Sequence, residues 1–273
     1  MVVVRLLRSN LRKLVRRPAS WVTFLLLIGL QTLIFVAVGA TVRQQTDAEA
    51  AAQSKLLVTF PGAYELILGF IIGLGGLLSL TYGAAIAGSE WTWGTLKAAV
   101  ARGEGRVRYT LLGYGAVLVA VLVGVLLAFL AGIVAAVLGA LLAGVPLDGI
   151  TDTSELQHLP DVFARGSLGL AMDVAIGYAI ATIARSQLAG IGVGIGLFFG
   201  AQFASIFLED IVKWLPFQAA NAVLAGAGGT ATGSGNAAVR GLDPNVAIVV
   251  VIAWLVGALV VSSIWTERAE IAG

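Results

Sequence analysis

The chain has 273 residues, of which 59% are hydrophobic and 12% charged, with a mean hydropathy of +0.96 and a formal net charge of +2. Soluble domains carry about 25% charged residues, so this composition cannot cover a water-soluble surface and predicts an all-α integral membrane protein. The absence of cysteine excludes disulfides, thiolate zinc sites and cysteine nucleophiles, and a single histidine, His158, excludes a multi-histidine metal site.

Residues 1–19 predict an amphipathic helix. Val3, Leu6, Leu7, Leu11, Leu14 and Val15 recur at helical spacing, while Arg5, Arg8, Arg12 and Arg16 run down another face. A basic amphipathic helix of this kind lies in the plane of the lipid headgroups. Pro18 breaks it, and Trp21 falls where an interfacial aromatic anchor belongs. Two readings stand for this segment: a topology signal alone, or an elbow that also braces a partner. The first apolar run follows this polar stretch and exceeds the length of a signal-peptide core, so it is expected to be retained as a span.

About 20 apolar residues cross a bilayer as a helix. By that measure six spans are expected, over 20–41, 62–88, 109–143, 162–184, 187–208 and 246–266. The third apolar stretch, Leu111–Val145, is overlong and has no internal proline or polar cluster, which predicts one tilted or projecting helix. With the N-terminus inside, the inner segments carry Arg5, Arg8, Arg12, Lys13, Arg16, Arg17, Lys97, Arg102, Arg106, Arg108, Arg185 and Arg268. The outer segments carry Arg43, Lys55, Arg165, Lys213 and Arg240. This excess of inner cations places both termini in the cytoplasm. The basic balance is thereby used up by topology and anionic headgroups, and nucleic acid is not expected as a partner.

The chain thus reads as a single transmembrane domain over 1–273. An interfacial helix occupies 1–19, spans one and two fall within 20–88, a polar loop covers 89–108, and spans three to six fall within 109–266. Among the outer segments, 42–61 predicts a short surface helix and 146–161 is acidic. The segment 209–245 becomes rich in Gly, Ala, Ser and Thr after Pro216, and its Gly226–Gly235 tract is expected to be mobile.

No phosphate-binding loop, zinc-protease or serine-hydrolase motif occurs, so no catalytic residue, metal site or cofactor site is expected on this chain. Ionisable residues inside the membrane are expensive and need a reason. Asp173 lies near the midplane of the fourth span. It reads either as a proton or cation site, or, favoured here, as a structural carboxyl bonded through Tyr178, Thr182 or another chain. Gly69-x-x-x-Gly73 and the series Gly190, Gly192, Gly194, Gly196 and Gly200 form small-residue faces, for packing within the chain or for a dimer seam. Phe199, Gln202 and Phe203 share one face of the fifth span. They suit an amphipathic ligand, or they simply face lipid.

The loop after the second span carries the most specific pattern. Gly88-Ser89-Glu90 follows the apolar run, Trp91 and Trp93 suit headgroup anchoring, and 95–101 predicts a short helix. Arg102-Gly103-Glu104-Gly105-Arg106 then turns the chain back.

These residues resemble the membrane permeases of type-2 ABC exporters, the bacitracin- and sodium-exporter-like family. Members carry a glutamate after the second span, then Gly-Thr-Leu and a short helix ending before an arginine. Glu90, Gly94-Thr95-Leu96 and Arg106 match, while Arg102-Gly-Glu-Gly replaces a common proline before that arginine. The resemblance extends to the whole topology, including the basic N-terminal helix. It implies two permease chains, a homodimer by expectation, each docking one cytoplasmic ABC ATPase subunit that binds the ATP and magnesium. It further implies that an elbow helix over Arg5–Arg17, with Arg5, Arg8 and Arg12, and a coupling helix over Glu90–Arg102, with Trp93, form the contact that transmits nucleotide-driven closure. Spans two and five would line the substrate path, with Phe199, Gln202 and Phe203 in contact with a drug-like or lipid-like cargo. The implied location is a prokaryotic plasma membrane, among lipids that the basic helix touches. Two other classes remain open: a stand-alone secondary transporter or channel using Asp173, and a membrane scaffold that recruits a partner without transport.

Overall fold

A computed structural model describes the chain over residues 2–225 and 242–269. The Gly226–Gly235 tract lies outside the described residues.

The first helix, α1 (Val2–Arg16), stops where Pro18 forces Arg17 into an extended conformation (φ −83°, ψ 130°). Proline then opens α2 (Pro18–Val42), a position where its missing N–H costs nothing. Side chains of α2 satisfy the last carbonyls of α1: Ser20 Oγ donates to Leu14 O at 2.7 Å and Trp21 Nε1 to Val15 O at 2.8 Å. The elbow is therefore a hydrogen-bonded corner.

After the short α3 (Ala48–Val58), N-capped by Asp47, the chain forms α4 (Gly62–Thr92) and α5 (Thr95–Ala101). It continues into α6 (Arg106–Ala143), a single 3-10 turn (Asp148–Thr151), α7 (Thr153–Ala184) and α8 (Gln187–Ala204). Two short helices, α9 (Glu209–Val212) and α10 (Pro216–Ala225), precede α11 (Pro244–Arg268). The described residues are all-α, and α2, α4, α6, α7, α8 and α11 are long and apolar enough to cross a membrane. The expected short helix within 42–61 is α3. The overlong third span is one helix of 38 residues, about 57 Å at the standard rise, so it projects beyond a hydrocarbon layer of about 30 Å.

Three expected boundaries are corrected. The second span continues as helix to Thr92, so Gly88, Ser89 and Glu90 belong to its last turns and the loop helix is only Thr95–Ala101, not Glu90–Arg102. The fourth span begins at Thr153 rather than 162, because helix continues through the acidic, Pro160-containing turns that apolar content does not detect. The fifth ends at Ala204 rather than 208, where Ser205–Phe207 turn the chain.

The centre of the bundle is α7, with 72% of its apolar window buried, against 17% to 22% for α2, α6, α8 and α11. It packs most extensively on α4. Glycine makes that approach possible. A methyl group at Gly83 would lie 2.6 Å from the Val174 carbonyl oxygen, and one at Gly177 would collide with the Leu80 carbonyl. The pair α2–α6 is built the same way, through Gly39 and Gly139. The expected Gly69/Gly73 face is not the packing face, since Gly73 is exposed and the close contacts of α4 fall at Gly76, Gly83 and Gly88. On α8 the glycines divide: Gly190 and Gly194 meet Ala181 and Leu80, whereas Gly192, Gly196 and Gly200 face open space.

Candidate functional site

At the end of the bundle where α1 lies, four segments converge on one carboxylate. Glu90, in the last turn of α4, pairs with Arg17 of the elbow at 3.0 Å, both side chains keeping 13% of their surface exposed. Its other oxygen, Oε2, accepts from Thr95 Oγ1 at the start of α5 and from Tyr109 OH in the first turn of α6, each at 2.5 Å. Arg17 also donates to Ser89 Oγ at 2.6 Å. Lys13 of α1 donates to Tyr109 OH at 3.3 Å and lies over that ring. Hydrogen bonds to an ionised group are about twice as strong as neutral ones, so this joint ties the elbow, α4, α5 and α6 into one unit.

Local geometry explains why α5 can turn back onto its own anchor. Gly94 adopts the left-handed conformation (φ 66°), which ends α4 without penalty to a side chain. That turn brings Thr95 within reach of both the carboxylate and the Glu90 carbonyl oxygen. Leu96 and Ala99 bury one face of α5 against Tyr109, leaving Lys97, Ala98 and Ala101 on the exposed face.

The tryptophans serve the joint as well as the interface. Trp93, 63% exposed, lies under the Arg17 guanidinium at 5.0 Å, and Trp91 lies under Arg185 at 5.3 Å. Arg185 occupies the turn between α7 and α8, in a left-handed conformation (φ 50°) rare for residues with a side chain. At the same place Gly88 abuts the backbone of Ser186 and Gln187. The end of α4 is thus wedged between the elbow on one side and the α7–α8 turn on the other.

Arg106 points elsewhere. Its Nη1 donates to the carbonyls of Glu267 and Ala269 at 2.8 and 2.9 Å, supplying a cation to the unsatisfied C-terminal carbonyls of α11. The start of α6 therefore holds the end of the last span.

Of the expected elbow cations, Arg8 and Arg12 do not reach the loop. Arg8 and Arg12 are exposed on α1, and the Arg5 side chain lies outside the described residues. Arg17 and Lys13 make the contacts instead, because they project from the side of the elbow that faces α4 and α6. Neither they nor Tyr109 were singled out for this role by sequence pattern. The available signal was weak: one acid at the end of a span, with cations at the same depth on the segment before.

Phe199 and Phe203 are exposed, 47% and 68%, about 18 and 24 Å along α8 from Gln187 by the helical rise. Gln202 does not share their environment. It accepts from Gln218 Nε2 of α10 at 3.1 Å, while Phe198 stacks edge-on with Phe217. The three-residue ligand wall is thus reduced to two open rings.

Asp173 is 6% exposed and faces Gly76 of α4. Neither Tyr178 nor Thr182 is its partner: Thr182 Oγ1 donates to the Tyr178 carbonyl, the Tyr178 ring lies against Gly113 and Tyr114, and Asp173 Oδ1 has no hydrogen-bond partner. A second buried polar group escaped sequence reading. Gln31 of α2, 1% exposed, sits against Gly132 with neither end of its amide hydrogen-bonded.

No protein-family model matches the chain, and no curated protein matches it in sequence.

Proposed function

We propose that the chain is the membrane permease of an ATP-binding-cassette exporter. A second copy completes the translocation unit, and each copy receives one cytoplasmic ATPase subunit, which carries the ATP and magnesium. The observation that supports this reading best is the Glu90 joint. A partner pushing on the exposed face of α5 meets a helix hydrogen-bonded to Glu90 of α4, the same carboxylate that accepts from Tyr109 of α6 and pairs with Arg17 of the elbow. Force applied there is delivered to two spans together, which is what a coupling helix must do. The ion pair and tryptophan contacts at this end suit a cytoplasmic surface at headgroup level.

The open glycine face of α8, Gly192, Gly196 and Gly200, suits close approach of the second copy, and Phe199 and Phe203 beside it suit a lipid-like or drug-like cargo. A prokaryotic plasma membrane is the location that fits this assembly. A stand-alone transporter draws its support from the unpartnered oxygen of Asp173, but that carboxyl is isolated from other acids along α7 in the membrane.

The test is purification in mild detergent with the ABC ATPase subunit of the same source, followed by ATPase assays in proteoliposomes. The expected result is a stable complex whose ATP hydrolysis rises with amphipathic substrates. A chain that purifies alone and carries flux driven by an ion gradient would replace this reading with the secondary transporter.

A further inference from the structure

A cavity of about 430 Å³ opens on the side of the bundle, between α2, α4 and α6 and beneath α1. Its origin lies in four small residues. Gly75 and Ser79 on α4, and Ala120 and Gly124 on α6, stand one helical turn apart in each pair, so each helix lacks side-chain volume along one stripe. Phe24 and Leu27 of α2 form the far wall. The lining is almost wholly apolar, and its outer lip carries exposed Trp21, Val119, Val123 and Leu127. The cavity therefore opens toward the hydrocarbon layer.

Its upper end is different in character. The Ser20 and Tyr82 hydroxyls bond one another at 2.7 Å there, and Leu11 and Val15 of α1 form the roof. Arg8 and Arg12 lie at helical spacing around Leu11 and Val15 on α1, and both are exposed. They stand apart from Lys13 and Arg17, which serve the Glu90 joint. A notch at membrane depth, capped by hydroxyls and roofed by a basic interfacial helix, matches a phospholipid in both its parts. An apolar void of this size forfeits dispersion contacts along its whole lining unless a chain fills it.

We infer that this groove is a binding site for one anionic phospholipid. An acyl chain lies along Gly75–Ser79 and Ala120–Gly124, and the headgroup phosphate is held by Arg8 and Arg12. The inference rests on the membrane-spanning architecture and is independent of the ABC-exporter reading.

The experiment is native mass spectrometry of the full chain after delipidation, with added dioleoyl phosphatidylglycerol or dioleoyl phosphatidylcholine. The expected result is one phosphatidylglycerol retained per protomer in preference to phosphatidylcholine. Gly75→Leu and Gly124→Leu fill the groove independently. A methyl at either position meets its nearest neighbour at 3.9 or 3.8 Å, so neither change forces the backbone apart. Both variants are expected to lose the retained lipid. Arg8→Gln with Arg12→Gln is expected to reduce the preference for the anionic lipid about 30-fold, from about 1 kcal/mol for each cation. Photolabelling of the unmodified protein, with a phosphatidylglycerol carrying a diazirine on its acyl chain, gives a readout that needs no variant. Label is expected on the peptides holding Gly75–Tyr82 and Val119–Leu127. Equal retention of the two lipids, retention by the filled variants, or label spread evenly over the exposed helices overturns the inference. So does shielding of these peptides in a dimer, which would make a second copy the occupant.

Discussion

Removing the Glu90 carboxylate tests whether the joint is mechanical. In Glu90→Ala, Arg17 loses its ion pair while its guanidinium stays enclosed, and Thr95 and Tyr109 each lose a charged acceptor. Breaking one side of a buried pair costs about 3 to 5 kcal/mol. Both side chains keep 13% of their surface in water, so the lower end, about 3 kcal/mol, applies. Opening of α5 away from α4 is eased by the lost Thr95 bond, about 1.5 to 3 kcal/mol for a charged acceptor, so amide exchange in α5 should accelerate about 10- to 100-fold. Hydrogen exchange read by mass spectrometry on detergent-solubilised protein measures this directly. Peptides from the α4–α7 core serve as an internal reference. Glu90→Gln, which keeps an acceptor but no charge for Arg17, should fall between the two. Exchange in α5 indistinguishable from wild type would refute the argument, and so would uniform acceleration across all spans. On the proposed exporter reading, the same variant is expected to uncouple ATP hydrolysis from transport while the membrane bundle stays folded.

Gly177→Ala places a methyl against the Leu80 carbonyl and should sharply reduce the yield of folded protein, whereas Gly196→Leu should leave the monomer folded because nothing lies within 4 Å of that position. If α8 is the dimer seam, Gly196→Leu also shifts the protein to monomer in mass photometry; an unchanged dimer would place the seam elsewhere. Asp173→Asn replaces a buried carboxyl whose Oδ1 has no partner, so expression, and the transport proposed above, should be retained. Complete loss of transport at normal expression would make Asp173 a functional acid. Arg106→Ala frees the carbonyls of Glu267 and Ala269, and limited proteolysis should then trim the end of α11 faster; an unchanged cleavage rate would show that the contact does not hold the tail.

The sequence was most informative where a single physical quantity decides the outcome. Six spans are legible because hydrocarbon thickness sets a minimum apolar length, and the helix Thr95–Ala101 is legible because Gly94 and the Gly103/Gly105 pair bracket it. The start of α7 is hidden, since its first turns are polar and an internal proline argues against helix locally, and only packing in the bundle overrides it. The joint itself was half visible. Glu90, Gly94, Thr95 and Leu96 stand in one stretch, but the Arg17 and Tyr109 contacts span 73 and 19 residues and depend on how the helices are laid side by side. Gln31 and the groove under α1 are likewise products of neighbouring helices. Gly75, Ser79, Ala120 and Gly124 look like any small residues in a span until α4 and α6 are placed beside α2.

The burial of α7 bears on biogenesis. It is the most enclosed span, yet at a mean hydropathy of 1.6 it is far less apolar than α6 at 3.1, and it carries Asp173. The pair α2–α6 can assemble as soon as residue 143 has emerged from the translocon. During that interval α4 presents Gly76 and Gly83 to lipid with no partner. Only when the weakly inserting α7 arrives do those glycines find the Asp173 side chain and the Val174 carbonyl they accommodate. Membrane entry of α7 and its docking on α4 are then a single event, and a weakened α4 cradle would be met first as failed insertion and degradation of the nascent chain.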